Sequence, residues 1–177
     1  RSLTISELGD YNLALLCLSP VPLLTNSIMS IWSPYLFEQT NLASLLKGTF
    51  KNAVVIFLCF YLLIFLTYFL IEAVLFFKII PQTYSNVGSL ILLLSFSFVA
   101  LACKQFLEAF SVKFGAPNLI LATATIQAVL MVCLTYILIP RWGIYGAVAS
   151  GVATNSFTLV FIWIRVLRLS NQAKLNA

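Results

Sequence analysis

Five uncharged stretches organise the chain: Tyr11 to Phe37, Asn52 to Ile71, Ile79 to Cys103, Phe114 to Pro140 and Trp142 to Ile164. Each reaches or exceeds the roughly 20 residues that an α-helix needs to cross about 30 Å of hydrocarbon. Strands of a membrane β-barrel are about ten residues long and alternate apolar with polar positions. LILLLSFSFVALAC is instead apolar on every face. The pattern predicts an all-α polytopic bundle of five transmembrane helices, over about 11–33, 52–76, 87–107, 117–139 and 143–166. A secretory signal is a poor reading of the first stretch, which lacks a basic leader and is followed by four more spans.

Punctuation between the spans is short. FGAPN offers Gly115 as a helix stop and Pro117 as a start, and Pro140 and Gly143 in IPRWG mark the last hairpin. The stretch from Phe37 to Lys51, with Leu42, Leu45 and Leu46 beside Lys47 and Lys51, suits an amphipathic segment on the membrane surface. Alternate loops differ in basic residues: Arg1, Lys78 and Arg141 on one side, and Lys47, Lys51, Lys104, Lys113, Arg165, Arg168 and Lys174 on the other. By the positive-inside rule the richer side is cytoplasmic, so the chain ends inside. It opens on Arg1, which predicts a fragment of a longer protein.

Composition agrees, with 62% hydrophobic and 8% charged residues, against about 25% charged in a soluble domain. The net charge of +5 comes from single residues at helix ends, which is membrane topology rather than a nucleic-acid stripe. Cys17, Cys59, Cys103 and Cys133 lie inside apolar runs without paired spacing and read as packing residues. The absence of His argues against membrane acyltransferases, Ser/His proteases and His-ligated metal enzymes. No phosphate-binding loop or catalytic carboxylate pair is present, so neither a catalytic residue, a cofactor nor a metal site is predicted.

Polar positions inside spans are costly unless they face protein or water. Asn12, Ser19, Asn26, Ser30 and Ser33 form one stripe on span 1, which also holds Pro20 and Pro22, either a tolerated kink or a functional hinge. Ser97, Lys104, Glu108 and Ser111 follow helical spacing on span 3, with Lys104 and Glu108 at i,i+4. Lys104 falls at the end of that span, leaving no cation at mid-membrane; it either lines the mouth of a pathway or snorkels to the interface. Gln127 needs an interhelical partner or a substrate, and Asn155 is the polar residue of span 5 able to do more than pack. Asn26, Ser30, Lys104, Gln127 and Asn155 are therefore the substrate-path candidates. Gly143, Ala147 and Gly151, with Gly146 one face over, have the small-residue spacing of close helix packing. Glu72, at the end of span 2, reads as interfacial.

Two stretches carry a family resemblance. ISELGDYNLALLCLSPVPLLTNSIMSIWSPYLF resembles the eighth membrane helix, with its leader, of bacterial O-antigen and polysaccharide-unit flippases, and YILIPRWGIYGAVASGVAT resembles the hairpin between their last two helices. The interval between them leaves room for three helices, as in that family. The resemblance implies the C-terminal lobe of a two-lobe, twelve-helix transporter of the multidrug, oligosaccharidyl-lipid and polysaccharide exporter superfamily. Its implied task is to flip oligosaccharide units on undecaprenyl diphosphate across the bacterial inner membrane. Implied partners are that lipid-linked substrate, membrane lipid, the missing N-terminal lobe and other membrane proteins of polysaccharide assembly. A drug or small-cation antiporter of the same superfamily is the alternative, for which a membrane-buried acid is expected. A polytopic glycan polymerase or ligase is another, for which a large charged external loop is expected.

Overall fold

The computed structural model describes residues 4–38, 42–77, 84 and 86–175, without the side chains of 42–57, 59 and 170–175. Six helices follow in order: α1 (Ile5–Leu18), α2 (Pro20–Glu38), α3 (Leu42–Phe76), α4 (Val87–Lys113), α5 (Asn118–Trp142) and α6 (Ile144–Leu175), and no strand occurs among the described residues. The chain is an all-α polytopic helix bundle. The stretches Ile5–Glu38, Val87–Lys113, Asn118–Trp142 and Ile144–Leu169 are each long and apolar enough to cross a membrane, and the described part of α3, Phe60–Phe76, is a shorter apolar helix.

Local chemistry sets the helix ends. Thr4 opens α1 with a capping box: its hydroxyl accepts the Glu7 N–H at 3.2 Å, and the Glu7 carboxylate accepts the Thr4 N–H at 2.8 Å. The hydrogen-bond ladder of the first span lapses at Ser19, which keeps helical dihedrals (φ −56°, ψ −28°), because Pro20 and Pro22 withhold the donors that would bond the carbonyls of Leu16 and Leu18. Ser19 fills one gap, giving both its N–H (3.2 Å) and its hydroxyl (2.7 Å) to the Leu16 carbonyl. α4 stops at a Schellman motif in which the Ala116 N–H reaches Ser111 O (3.0 Å), the Gly115 N–H reaches Val112 O (2.9 Å), and Gly115 takes φ +74°. The Gly115 stop and Pro117 start expected from FGAPN are thus present. Pro140, by contrast, does not end α5. It lies in the last turn, and the helix closes at Gly143, whose φ of +58° lets its N–H bond Ile139 O.

Two further differences concern length. α4 continues to Lys113 rather than ending near residue 107. The backbone from Leu42 runs unbroken into α3; whether 37–51 lies on the membrane surface falls outside the described side chains.

α4 is the centre of the bundle and touches all five other helices. LILLLSFSFVALAC, apolar on every face, sits here with half of the α4 stretch buried against the other helices and Leu92, Leu93 and Phe96 exposed on the remaining face. One apolar cluster joins Ala14 and Leu18 of α1, Phe60 and Ile64 of α3, Leu90, Ile91 and Leu94 of α4, and Ile144 and Val148 of α6. A second, smaller one near the Gly115 turn joins Leu36, Phe110, Ile162 and Val166. α6 buries an i,i+4 row of Gly146, Ser150, Thr154, Thr158, Ile162 and Val166. Gly146 is where α6 crosses the end of α5 most closely, since a Cβ there would strike the Leu138 carbonyl. A Cβ on Gly151 would stand 3.4 Å from Ser97 Oγ of α4, and one on Gly88 would meet the Glu72 carboxylate at 2.6 Å. Ala147 is half-buried beside this row, and Gly143, buried, serves the turn rather than the helix face. The outer surface is apolar, with Ile31, Val132, Tyr136 and Phe157 exposed. Only 6% of the apolar stretch of α5 is buried, leaving the rest to lipid or to a further helix.

Candidate functional site

Three of the five path candidates converge inside the bundle. Asn155 of α6 donates its amide to Ser97 Oγ (2.7 Å) and Ser97 O (3.3 Å) of α4 and accepts from Gln127 Nε2 of α5 at 2.9 Å. The Gln127 carbonyl accepts from Lys104 Nζ. The ammonium also stands 3.4 Å from the Glu108 carboxylate, one helical turn on, and Glu108 in turn accepts the Thr123 hydroxyl at 3.1 Å. The chain Ser97–Asn155–Gln127–Lys104–Glu108–Thr123 therefore stitches α4, α5 and α6 with a charge-balanced set of side chains.

The burial of this network decides against the snorkelling alternative for Lys104. It lies nine residues before the last residue of α4, and Gln127 lies nine after the first of α5. At 1.5 Å per residue both are about 14 Å from the Gly115 turn, close to half of a hydrocarbon layer of about 30 Å. Lys104 is 5% exposed, so it turns inward instead of snorkelling. The ammonium is enclosed by the bundle and paired with Gln127 and Glu108.

Asn26 and Ser30 lie elsewhere, on α2. Asn12, Leu16, Ser19, Leu23, Asn26 and Ser30 make a row at alternating spacings of four and three, and every one is exposed. The stripe read from span 1 thus looks out of the bundle, not into it; Ser33, its last member, is half-buried. The Ser30 hydroxyl bonds back to Ser27 O (2.8 Å) and that of Ser27 to Leu23 O (3.0 Å). Pro34, inside α2, removes the donor that would take the Ser30 carbonyl. An amide and two hydroxyls, beside a carbonyl deprived of its i+4 donor, therefore lie at the surface of an apolar span.

Asp10 was missed by the sequence reading. It is 3% exposed, and its Oδ1 has no hydrogen-bond partner among the described residues. As the last charged residue before the first apolar run it looks like a boundary, yet Asp10, Ala14 and Leu18 are the buried residues of α1 at i,i+4 spacing. That spacing was the available signal. Glu72 is exposed on α3 near its end. Among the described residues no group of three His, Cys, Asp or Glu side chains is placed to hold a metal.

Comparison with protein-family models, with curated proteins and with solved structures finds no match to this chain.

Proposed function

We propose that the chain is one lobe of a membrane transporter that flips lipid-linked oligosaccharide units across the bacterial inner membrane by alternating access, with its C-terminus in the cytoplasm. The observation that carries this reading is the polar row of α1 and α2. Interhelical partners account for Lys104, Gln127 and Asn155, whereas Asn26 and Ser30 are exposed within an apolar span, away from that network among the described residues. Such groups are stable there only against water or another protein segment, and a cavity shared with a second lobe supplies both. Discontinuous helices lining a central path are a general feature of transporters, and the lapse in the hydrogen-bond ladder at Ser19 supports that reading. The resemblance of residues 5–37 and of the α5–α6 hairpin to polysaccharide-unit flippases supplies the cargo: uncharged hydroxyl-rich units, for which amides and carbonyls are suitable partners. The rest of the protein, including the other lobe, is the implied partner.

Replacing Asn26 by Leu in the complete protein tests this. Surface glycan should fall several-fold while protein level is kept, because an exposed amide contributes little to the fold. Unchanged glycan output at equal protein level would refute the assignment.

A second reading, a drug or small-cation antiporter, is favoured by Asp10, a buried acid with an unpartnered oxygen. Asp10 is only five residues into α1, about 8 Å from its end, well short of the middle of the layer where coupling sites of this kind lie. The flippase reading therefore stands first.

A further inference from the structure

α2 is attached to the bundle differently from its neighbours. Val21 and Thr25 are buried near its start and Leu36 near its end, and between them Leu23, Leu24, Asn26, Ser27, Ser30 and Ile31 are exposed. Its start follows the lapse at the prolines, where Ser19 holds the chain by a single carbonyl, that of Leu16. Helices bend at such lapses in the bond ladder, and Pro34 adds a second one near the other end.

The far end rests on a compact seat. The Trp32 ring packs edge-on against Phe106 (5.1 Å between centroids, 65°) and Phe110 (5.4 Å, 68°) of α4. Leu36 is wholly buried beside Phe110. Lys113, the last residue of α4, donates its ammonium to the Leu36 carbonyl at 2.5 Å. That carbonyl belongs to the last turn of α2, where no intrahelical donor remains and the helix dipole favours a cation. The seat is separate from the main apolar cluster, which α2 meets through Val21 and the half-buried Ile28 nearer the hinge, so the far end of α2 can be released without opening the core that holds α1, α3, α4 and α6.

We propose that α2 is a swinging helix hinged at Ser19–Pro20, and that Trp32, Leu36, Phe106, Phe110 and Lys113 form the latch that holds it closed on α4. α4, α5 and α6, stitched by the Asn155–Gln127–Lys104 network, are the fixed frame. Release of the latch opens a crevice between α2 and α4 at the Gly115 end and carries the Asn26–Ser30 surface with it. The inference concerns motion within the lobe and holds whatever the cargo is.

The test is a pair of spin labels in the complete protein in liposomes, at Phe37→Cys and Asn118→Cys, both exposed, after replacement of the native cysteines. A second pair, Asn118→Cys with Leu167→Cys, reports on the frame. The unmodified latch should give mainly the short distance. Trp32→Ala should raise the ratio of long to short distances about tenfold, the factor that two edge-to-face ring contacts supply together. Lys113→Gln should raise it less, and Pro20→Ala with Pro22→Ala should suppress the long distance. The frame pair should not change in any variant. A Trp32→Ala distribution identical to that of the parent would overturn the latch, and so would a change shared equally by the frame pair, which would mark Trp32 as general packing. If Trp32→Ala does not accumulate, Lys113→Gln and the double proline variant read the same equilibrium, and no response in either overturns the proposal.

Discussion

At the residue scale the decisive matter is where each buried polar atom finds a partner. Asn155 uses both ends of its amide, one toward α4 and one toward α5, so it is the hub through which three helices are joined. Replacing it by Leu strands Gln127 and the Ser97 hydroxyl together. Unsatisfied buried groups cost about 1–3 kcal/mol in water-soluble proteins, and interhelical hydrogen bonds in membranes average about 0.6 kcal/mol. Asn155→Leu should accordingly lower stability by about 1–2 kcal/mol, read as a lower midpoint of thermal unfolding in detergent. Thr125→Val, at an exposed hydroxyl bonded to its own helix, should leave the midpoint in place. Part of this network was legible in the sequence. The i,i+4 spacing of Lys104 and Glu108 fixes that they meet, and an amide at Gln127 demands some partner. Which partner it takes depends on the register of α5 against α6, and no local pattern encodes that. Asp10 was illegible for a different reason: a charge at the edge of an apolar run resembles a boundary until the helix is seen to begin at Ile5.

At the scale of elements, two glycines that look alike in the sequence separate clearly. Gly146 and Gly151 both belong to small-residue rows of α6, but only at Gly146 does the space end at backbone, the Leu138 carbonyl, which cannot move aside. At Gly151 the nearest atom is the Ser97 hydroxyl, at the limit of ordinary contact. Gly146→Ala should therefore cut the amount of folded protein in the membrane severely, whereas Gly151→Ala should be tolerated within about 1 kcal/mol; fluorescence-detected size exclusion of the two variants distinguishes them. Periodicity located the α6 row and the FGAPN turn because glycine and proline act locally. It placed the irregularity of span 1 at Pro20 and Pro22 but not the residue where the hydrogen-bond ladder lapses. Pro20 and Pro22 free the carbonyls of Leu16 and Leu18, and Ser19 supplies a substitute donor for Leu16, which locates the lapse at that point.

At the scale of the whole molecule, the outline was readable because composition and the spacing of charges leave few alternatives: 62% hydrophobic residues in uncharged runs of membrane length specify a polytopic bundle. The direction in which each polar stripe faces was not readable. Polar residues inside a span must avoid lipid, and both a packed interior and a water-lined surface satisfy that rule. Here the polar side chains of α4, α5 and α6 follow the first solution, and the exposed row from Asn12 to Ser30 is the face that the proposed transport path requires to be water-lined. The most direct test is the reaction of a cysteine at Asn26 with a small, charged, membrane-impermeant thiol reagent, in the complete protein freed of its native cysteines and assayed in right-side-out and everted vesicles. A water-lined path used by alternating access requires reaction at Asn26→Cys and Ser30→Cys from both sides. Cysteines at Val132 and Tyr136, as exposed but on the apolar face of α5, should stay unmodified. Equal protection of Asn26→Cys and Val132→Cys from both sides would place the α2 stripe against lipid or sealed protein and contradict the account.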